Sequence, residues 1–311
     1  MFSKAIFVDF KKDGIDKSYF ERINRLFKKV EFIKPDDPSL YTKLRDVEVV
    51  FVQIFTKVDK QFIDAAPKLK YVGVQSTAYD AKYARSKHIV VCNLGGYSTE
   101  AVAEFFFAIL LESGRELEKV KQQAKKADFS FNKFMGLELK GKTLGLLGAG
   151  RIGSRMAEIG LGFGMKVIYF SRTKKPKIEK LGAKKRQLDD VLAQADIVSM
   201  IMSLNKETKG IMSKKKISLL KPGAVLISLA PPSLIDQEAI IEAANKGKVT
   251  FMFDHSDDIS ASLAKRFLKT KNCIVYPPTA FRTHEANTAR IETFVSNIEQ
   301  FAKNKPQNVV N

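Results

Sequence analysis

Tryptophan is absent from the 311 residues, cysteine occurs twice and histidine three times. Cys92 and Cys273 each fall near the end of an expected strand, so they offer neither a disulfide framework nor metal-ligand spacing. A reducing cytoplasm is the simplest address for such a chain. No apolar run reaches the roughly 18 residues of a membrane span. The opening Lys4-Ala5-Ile6-Phe7-Val8-Asp9 reads as a strand, without the basic start, long apolar stretch and cleavage site of a signal peptide. Internal repeats and low-complexity segments are also missing.

Acidic residues are in deficit: 53 Lys and Arg stand against 34 Asp and Glu, a net charge of +19. A basic surface attracts polyanions. Here the cations come in short scattered runs such as Lys28-Lys29, Lys174-Lys175 and Lys184-Lys185-Arg186, and no nucleic-acid motif accompanies them. No specific nucleic-acid partner and no membrane is expected.

What is present is an alternation of β-rich runs and amphipathic stretches. Val47 to Val52, Tyr71 to Val74 and Ile89 to Cys92 are strand patterns, and Asp16 to Lys29 and Lys60 to Ala66 read as helices. A long helix starts near Ser98. A second series then follows, with strands over Thr143 to Leu147, Lys166 to Phe170, Ile197 to Met200, Ala224 to Ser228, Val249 to Phe253 and Cys273 to Tyr276. A last helix runs from about His284 to Lys303, with Ile291, Phe294, Val295, Ile298 and Phe301 at helical spacing. Strands alternating with helices imply an α/β fold with parallel sheets.

The strand Thr143-Leu144-Gly145-Leu146-Leu147 runs directly into Gly148-Ala149-Gly150-Arg151-Ile152-Gly153, and a helical pattern follows. This is G-x-G-x-x-G in the strand–helix context that gives it meaning. Gly148 permits the tight turn, Gly150 lets a pyrophosphate approach the backbone, and Gly153 lets helix and strand pack closely. With Arg151 and Ile152 opening the helix, free N–H groups and the helix dipole face the phosphates. A dinucleotide is the expected ligand.

At the end of the next strand a carboxylate would bind the ribose 2′-hydroxyl of NAD(H). None is there. The segment reads Ser171-Arg172-Thr173-Lys174-Lys175, a hydroxyl-bearing basic turn suited to a dianionic 2′-phosphate. NADP(H) is therefore expected in preference to NAD(H).

Several segments resemble the D-isomer-specific 2-hydroxyacid dehydrogenases, the family of phosphoglycerate dehydrogenase and glyoxylate/hydroxypyruvate reductase. Leu69 to Asp80 is similar to its substrate-carboxylate loop, with Ser76, Thr77 and Ala78 as the contact candidates. Asn93 to Glu104 resembles its hinge, Gly148 to Gly153 its glycine loop, and Leu220 to Ile227 with Leu234-Ile235-Asp236 the flanks of its catalytic Arg. The resemblance covers nearly the whole chain. It implies two Rossmann-like domains, the nucleotide-binding one inserted into a flavodoxin-like substrate domain. The expected boundaries are 1–97, 98–284 and 285–311, the last a helix returning to the first domain. It also implies a small organic acid as substrate and a homodimer, to which Phe105-Phe106-Phe107 and Phe129 to Met135 would contribute if they are not simply core.

The family reaction uses an Arg on the substrate carboxylate, a His that protonates the carbonyl oxygen, and a Glu that orients the His. By alignment of the flanks, the Arg position is Pro231, within Ala230-Pro231-Pro232-Ser233. The His position is Pro278, within Pro277-Pro278-Thr279. If Asp254, placed with the cofactor, is the family's Asp at the end of its strand, the Glu position is Ile259. No side chain at these three positions can carry charge. Arg282, His284 and His255 are candidates to replace them. Three readings follow: a cofactor-binding homologue with altered or absent 2-hydroxyacid dehydrogenase activity, an active NADPH-dependent oxidoreductase using relocated residues, and an enzyme of another class that uses the bound cofactor differently.

Overall fold

Short runs rich in Val, Ile and Phe build two parallel sheets, and their burial explains why they are so uniformly apolar. A computed structural model describes residues 1–11, 16–53, 56–75 and 79–311. The chain divides into two units, Met1–Tyr97 with His284–Asn311, and Ser98–Thr283. The return to the first unit falls at His284, one residue before the boundary expected from sequence.

In the first unit β1 (Phe2–Val8), β2 (Phe27–Ile33), β3 (Val49–Val52), β4 (Tyr71–Val74) and β5 (Val90–Asn93) form one sheet in the order β2-β1-β3-β4-β5. All pairings are parallel, and the order is that of flavodoxin-like sheets. β3 and β4 are buried along their whole length, as central strands covered on both faces must be. One face carries a phenylalanine stack, with ring centroids 4.5 Å apart for Phe7 and Phe51 and 4.8 Å for Phe51 and Phe294. Phe294 belongs to the last helix, His284–Ala302, which covers that face. Arg22 ties the first helix, Lys17–Asn24, to the same helix through Glu292 at 2.7 Å and Glu299 at 2.8 Å. The tail pairs along β5, where Asn93 N donates to Asn308 O and Val310 N to Val91 O. That occupies an edge strand which would otherwise present unpaired backbone groups.

Contrary to the helix expected over Asp16 to Lys29, the first helix stops at Asn24, and Phe27–Ile33 is a strand. Phe20, Ile23 and Phe27 sit at helical spacing, but Phe27 pairs with Phe2 and Phe32 with Phe7 in the sheet. Tertiary pairing overrides local periodicity at this edge.

The second unit holds β6 (Thr143–Leu147), β7 (Lys166–Phe170), β8 (Lys184–Lys185), β9 (Ile197–Met200), β10 (Ala224–Ser228), β11 (Val249–Phe253) and β12 (Cys273–Val275). Their order is β12-β11-β10-β9-β6-β7-β8, again all parallel. This is the doubly wound dinucleotide-binding order with one more strand, its switch point between β6 and β9. The six strands expected here are present, and only the two-residue β8 is additional. The long helix Thr99–Gly114 places Phe106 and Phe107 in the core with Leu144 and Met156. Two of the three consecutive phenylalanines are therefore core residues, and Phe105 packs edge-on against Tyr276 with centroids 5.8 Å apart. Because every strand runs the same way, the segments after β6, β7, β10, β11 and β12 emerge at one edge of the sheet.

Candidate functional site

The three glycines after β6 have different causes. Gly148 has φ +105°, a conformation that side chains resist, and a Cβ there would lie 2.7 Å from the Ile201 carbonyl oxygen. Gly153 has no room either: its Cβ would come within 2.1 Å of Gly148 O. These two are explained by the fold. Gly150 is not. It has φ −73° and ψ −160°, which any residue adopts, and a Cβ would meet nothing within 4 Å. The open space over it lies at the N-terminus of the helix Arg151–Gly162, which has no side-chain cap and no acidic residue in its first turn. Backbone N–H groups there face outward with the positive end of the helix dipole. Arg151 is exposed and Ile152 half-buried. The residues present fit a dinucleotide: the pyrophosphate would rest on Gly150, Arg151 and Ile152. Such a cofactor supplies or accepts a hydride when bound.

The turn after β7 is braced from several sides. Ser171 Oγ donates to Thr173 O at 2.6 Å, and Lys185 Nζ to Arg172 O at 3.2 Å. Tyr169 OH accepts the Lys175 N–H at 2.8 Å and donates to Glu179 at 3.0 Å. Arg172 and Thr173 are exposed, and no carboxylate pairs with Arg172 among the described residues. β8 adds what sequence reasoning missed. Its pairing of Lys185 with Tyr169 brings Lys185 and Arg186 beside the turn, and Arg186 N donates to Tyr169 O at 2.9 Å. The run Lys184-Lys185-Arg186 was legible as charge, but the strand that places it is only two residues long.

Across the sheet, the three aligned positions hold no ionisable group in the fold either. Pro231 opens a tight 3₁₀ turn, Pro232–Leu234, in which Pro231 O accepts the Leu234 N–H and Pro232 O that of Ile235, both at 3.1 Å. Pro278 is half-buried in a turn where Thr279 N donates to Pro277 O at 2.7 Å. Ile259 packs on the core cluster that contains Phe253 and Phe267.

The replacement candidates separate. Arg282 and His284 are exposed, and neither forms an ion pair among the described residues; His284 lies in the first unit as the first residue of the last helix. His255 is different. Its Nδ1 lies 3.3 Å from Asp258 Oδ2 and its Nε2 4.0 Å from Asp254 Oδ1, and its side chain is 32% exposed. Asp254 is buried, and its Oδ1 has no hydrogen-bond partner among the described residues. Burial pushes its carboxyl up to about 6, opposed by the neighbouring His255. The structure thus gathers Asp254, His255 and Asp258 at the end of β11. Asp258 can hold one imidazole nitrogen as a donor, which leaves the other for proton exchange. Ser76, Thr77 and Ala78 lie outside the described residues.

The family model for the D-isomer specific 2-hydroxyacid dehydrogenase, NAD binding domain, matches residues 107–280. A glyoxylate reductase of Thermococcus litoralis is 34% identical over 289 residues, which cover 89% of this chain and 87% of that protein. Among solved structures, D-lactate dehydrogenase from Aquifex aeolicus complexed with NAD and lactic acid has a TM-score of 0.83 at 27% identity, over 97% of this chain and 96% of that one. An acyclic imino acid reductase in complex with NADPH and D-arginine has a TM-score of 0.87 at 26% identity, over 99% of this chain and 100% of that one.

Proposed function

The chain belongs to the D-isomer specific 2-hydroxyacid dehydrogenase family and carries its NAD-binding domain, and we propose that this member prefers NADP(H) and has altered or absent activity on 2-hydroxy acids. One observation carries the reading: the cradle at Gly150 stays open while positions 231, 259 and 278 hold Pro, Ile and Pro. A positioned general acid is worth about 10²–10⁴ in rate, and the family's acid, its orienting carboxylate and its carboxylate-binding cation are all replaced. Arg172, on a braced turn and without a carboxylate partner among the described residues, supports the 2′-phosphate preference together with Lys185 and Arg186. The exposed Phe129, Phe131 and Met135 support a homodimer.

The test is a titration of the purified protein with NADPH and NADH, followed by steady-state assays with glyoxylate, hydroxypyruvate and pyruvate. Tighter binding of NADPH with negligible reduction of all three acids is expected. Robust NADPH-dependent reduction of any of them would sink the reading. The imino acid reductase among the structural neighbours supports adding a primary amine to the assay. A protonated C=N already carries on nitrogen the proton that a carbonyl must be given, so it is the electrophile least affected by loss of the acid at 278.

A second reading rests on the His255–Asp258 pair at 3.3 Å. In it the acid has moved from the loop after β12 to the loop after β11, and Asp258 orients it. If reduction is found, His255→Gln should abolish it and Asp258→Asn should shift its pH profile. Unchanged rates in both variants would remove His255 from the chemistry.

A further inference from the structure

We propose that Arg290 is the carboxylate anchor of this protein, binding a small organic acid at the carboxyl edge of the first sheet in place of the arginine missing at position 231. The proposal rests on the reading that the chain is a family member with replaced site residues. β4 ends at Val74, and Gln75 is held at that edge by its N–H bond to Val52 O at 3.3 Å. Gln75 Oε1 in turn accepts from Arg290 Nη1 at 3.4 Å, and Asn287, one turn earlier on the last helix, accepts from Nη2 at 2.9 Å. Arg290 is half-buried, with its bond to Gln75 part-buried and its bond to Asn287 exposed, and two neutral amides orient the guanidinium. No carboxylate pairs with it among the described residues.

The contrast with Arg22 is informative. The same helix gives both Glu292 and Glu299 to Arg22, which neutralise that arginine. Among the described residues Arg290 receives only amides, which fix its direction without neutralising it. Among the described residues two of the five guanidinium N–H donors are used, which leaves three to offer an anion. Partial burial strengthens the attraction, because a charge in a lower dielectric acts more strongly on its partner. The fork geometry selects a planar carboxylate that can take two parallel hydrogen bonds. The place is also apt, since ligands of open parallel sheets bind outside the carboxyl ends of the strands. Sequence alignment finds no such residue because it looks only where the family keeps its arginine. Arg290 sits in another unit of the chain, and its orienting partner, Gln75, is 215 positions away.

The experiment uses the full-length protein saturated with NADPH and titrated with oxamate, followed by calorimetry. The wild type is expected to bind oxamate. Arg290→Met should weaken that binding by about 10- to 100-fold, the range for a hydrogen bond to a charged group, and Arg290→Lys should lie between. NADPH affinity should not change in either. Gln75→Glu keeps the arginine but gives it an internal carboxylate, and should weaken oxamate as well. Circular dichroism melts of each variant separate lost binding from lost fold. Oxamate binding by Arg290→Met equal to wild type overturns the proposal, as does absence of oxamate binding to the wild type. The cofactor reading fails separately, in the NADPH titration. If neither dinucleotide binds, the same oxamate comparison is made on the protein alone.

Discussion

A Cβ added to Gly153 would come within 2.1 Å of the carbonyl oxygen of Gly148, whereas one added to Gly150 would touch nothing within 4 Å. The two substitutions should therefore fail in different ways. Gly153→Ala forces strand and helix apart and should lower stability by about 1–3 kcal/mol or more, the usual cost of overpacking. Gly150→Ala should cost no more than about 1 kcal/mol, the scale of a changed helix cap, because no protein atom is displaced. It should instead weaken NADPH binding at least tenfold by filling the space a pyrophosphate needs. Thermal melts and NADPH titrations on the two variants check this. Wild-type NADPH affinity in Gly150→Ala would contradict the assignment of the cradle.

Arg172 sets the second prediction. Charge-assisted bonds to a 2′-phosphate are about twice as strong as neutral ones, so Arg172→Asp should weaken NADPH by about 100-fold or more and leave NADH within a few-fold. Arg186→Gln should give a smaller loss of the same sign, since β8 only flanks the turn. Added salt should narrow the gap between NADPH and NADH in the wild type. Equal effects of Arg172→Asp on both dinucleotides would remove the 2′-phosphate assignment.

Much of this was legible in the sequence where one periodicity served one structure. Val249 to Phe253 and Ala224 to Ser228 are apolar runs of strand length bounded by turn residues, and both are central parallel strands. The glycine loop was readable because its spacing and its flanks point to the same turn. Phe27–Ile33 was not readable, because its phenylalanines also suit a helix until β1 is there to pair with it. The cluster of Asp254, His255 and Asp258 was half readable. The residues were visible, but nothing in their order shows that the His255 ring lies against Asp258 while Arg282 has no ion pair among the described residues. Arg290 was invisible for a different reason: what marks it is its pair of amide partners, Gln75 and Asn287, with no carboxylate among the described residues, and that is a fact of three-dimensional packing.

Asp254 makes stability depend on pH in a direction opposite to that of most acids. Burial raises it from 3.8 to about 6, with Asp257 adding to the shift and His255 opposing it. A folded-state pKa above the unfolded value means a contribution fully present below pH 3.8 and lost as pH rises through 6. At pH 8 the fold carries a buried charge with one oxygen unpaired, at a cost of at most about 3 kcal/mol. Asp254→Asn removes that charge, so the variant should be more stable than wild type at pH 8 and gain little or nothing at pH 5. Denaturant unfolding of the ligand-free proteins at both pH values measures the difference. An equal difference at the two would show that Asp254 does not titrate in this range.

The last prediction concerns Phe129, Phe131 and Met135, which are 80, 83 and 94% exposed. The segment that carries them is not loose: Asp128 accepts the Ser130 N–H at 3.0 Å and pairs with Lys133 at 3.0 Å, and Gln123 donates to Ser130 O at 2.6 Å. Hydrogen bonds therefore hold the backbone in a shape that turns large apolar side chains outward, which a monomer has no reason to maintain. Fully burying one such side chain contributes about 1.5–3 kcal/mol. Six of them across a two-fold contact give roughly 9–18 kcal/mol gross, enough to offset the about 4–15 kcal/mol cost of association. The purified protein should therefore run as a dimer in light scattering at micromolar concentration. Replacing all three residues with Ser should give a folded monomer that still binds NADPH, since none of them lies near the glycine loop in sequence. A triple variant that remains dimeric would place the interface elsewhere on the chain.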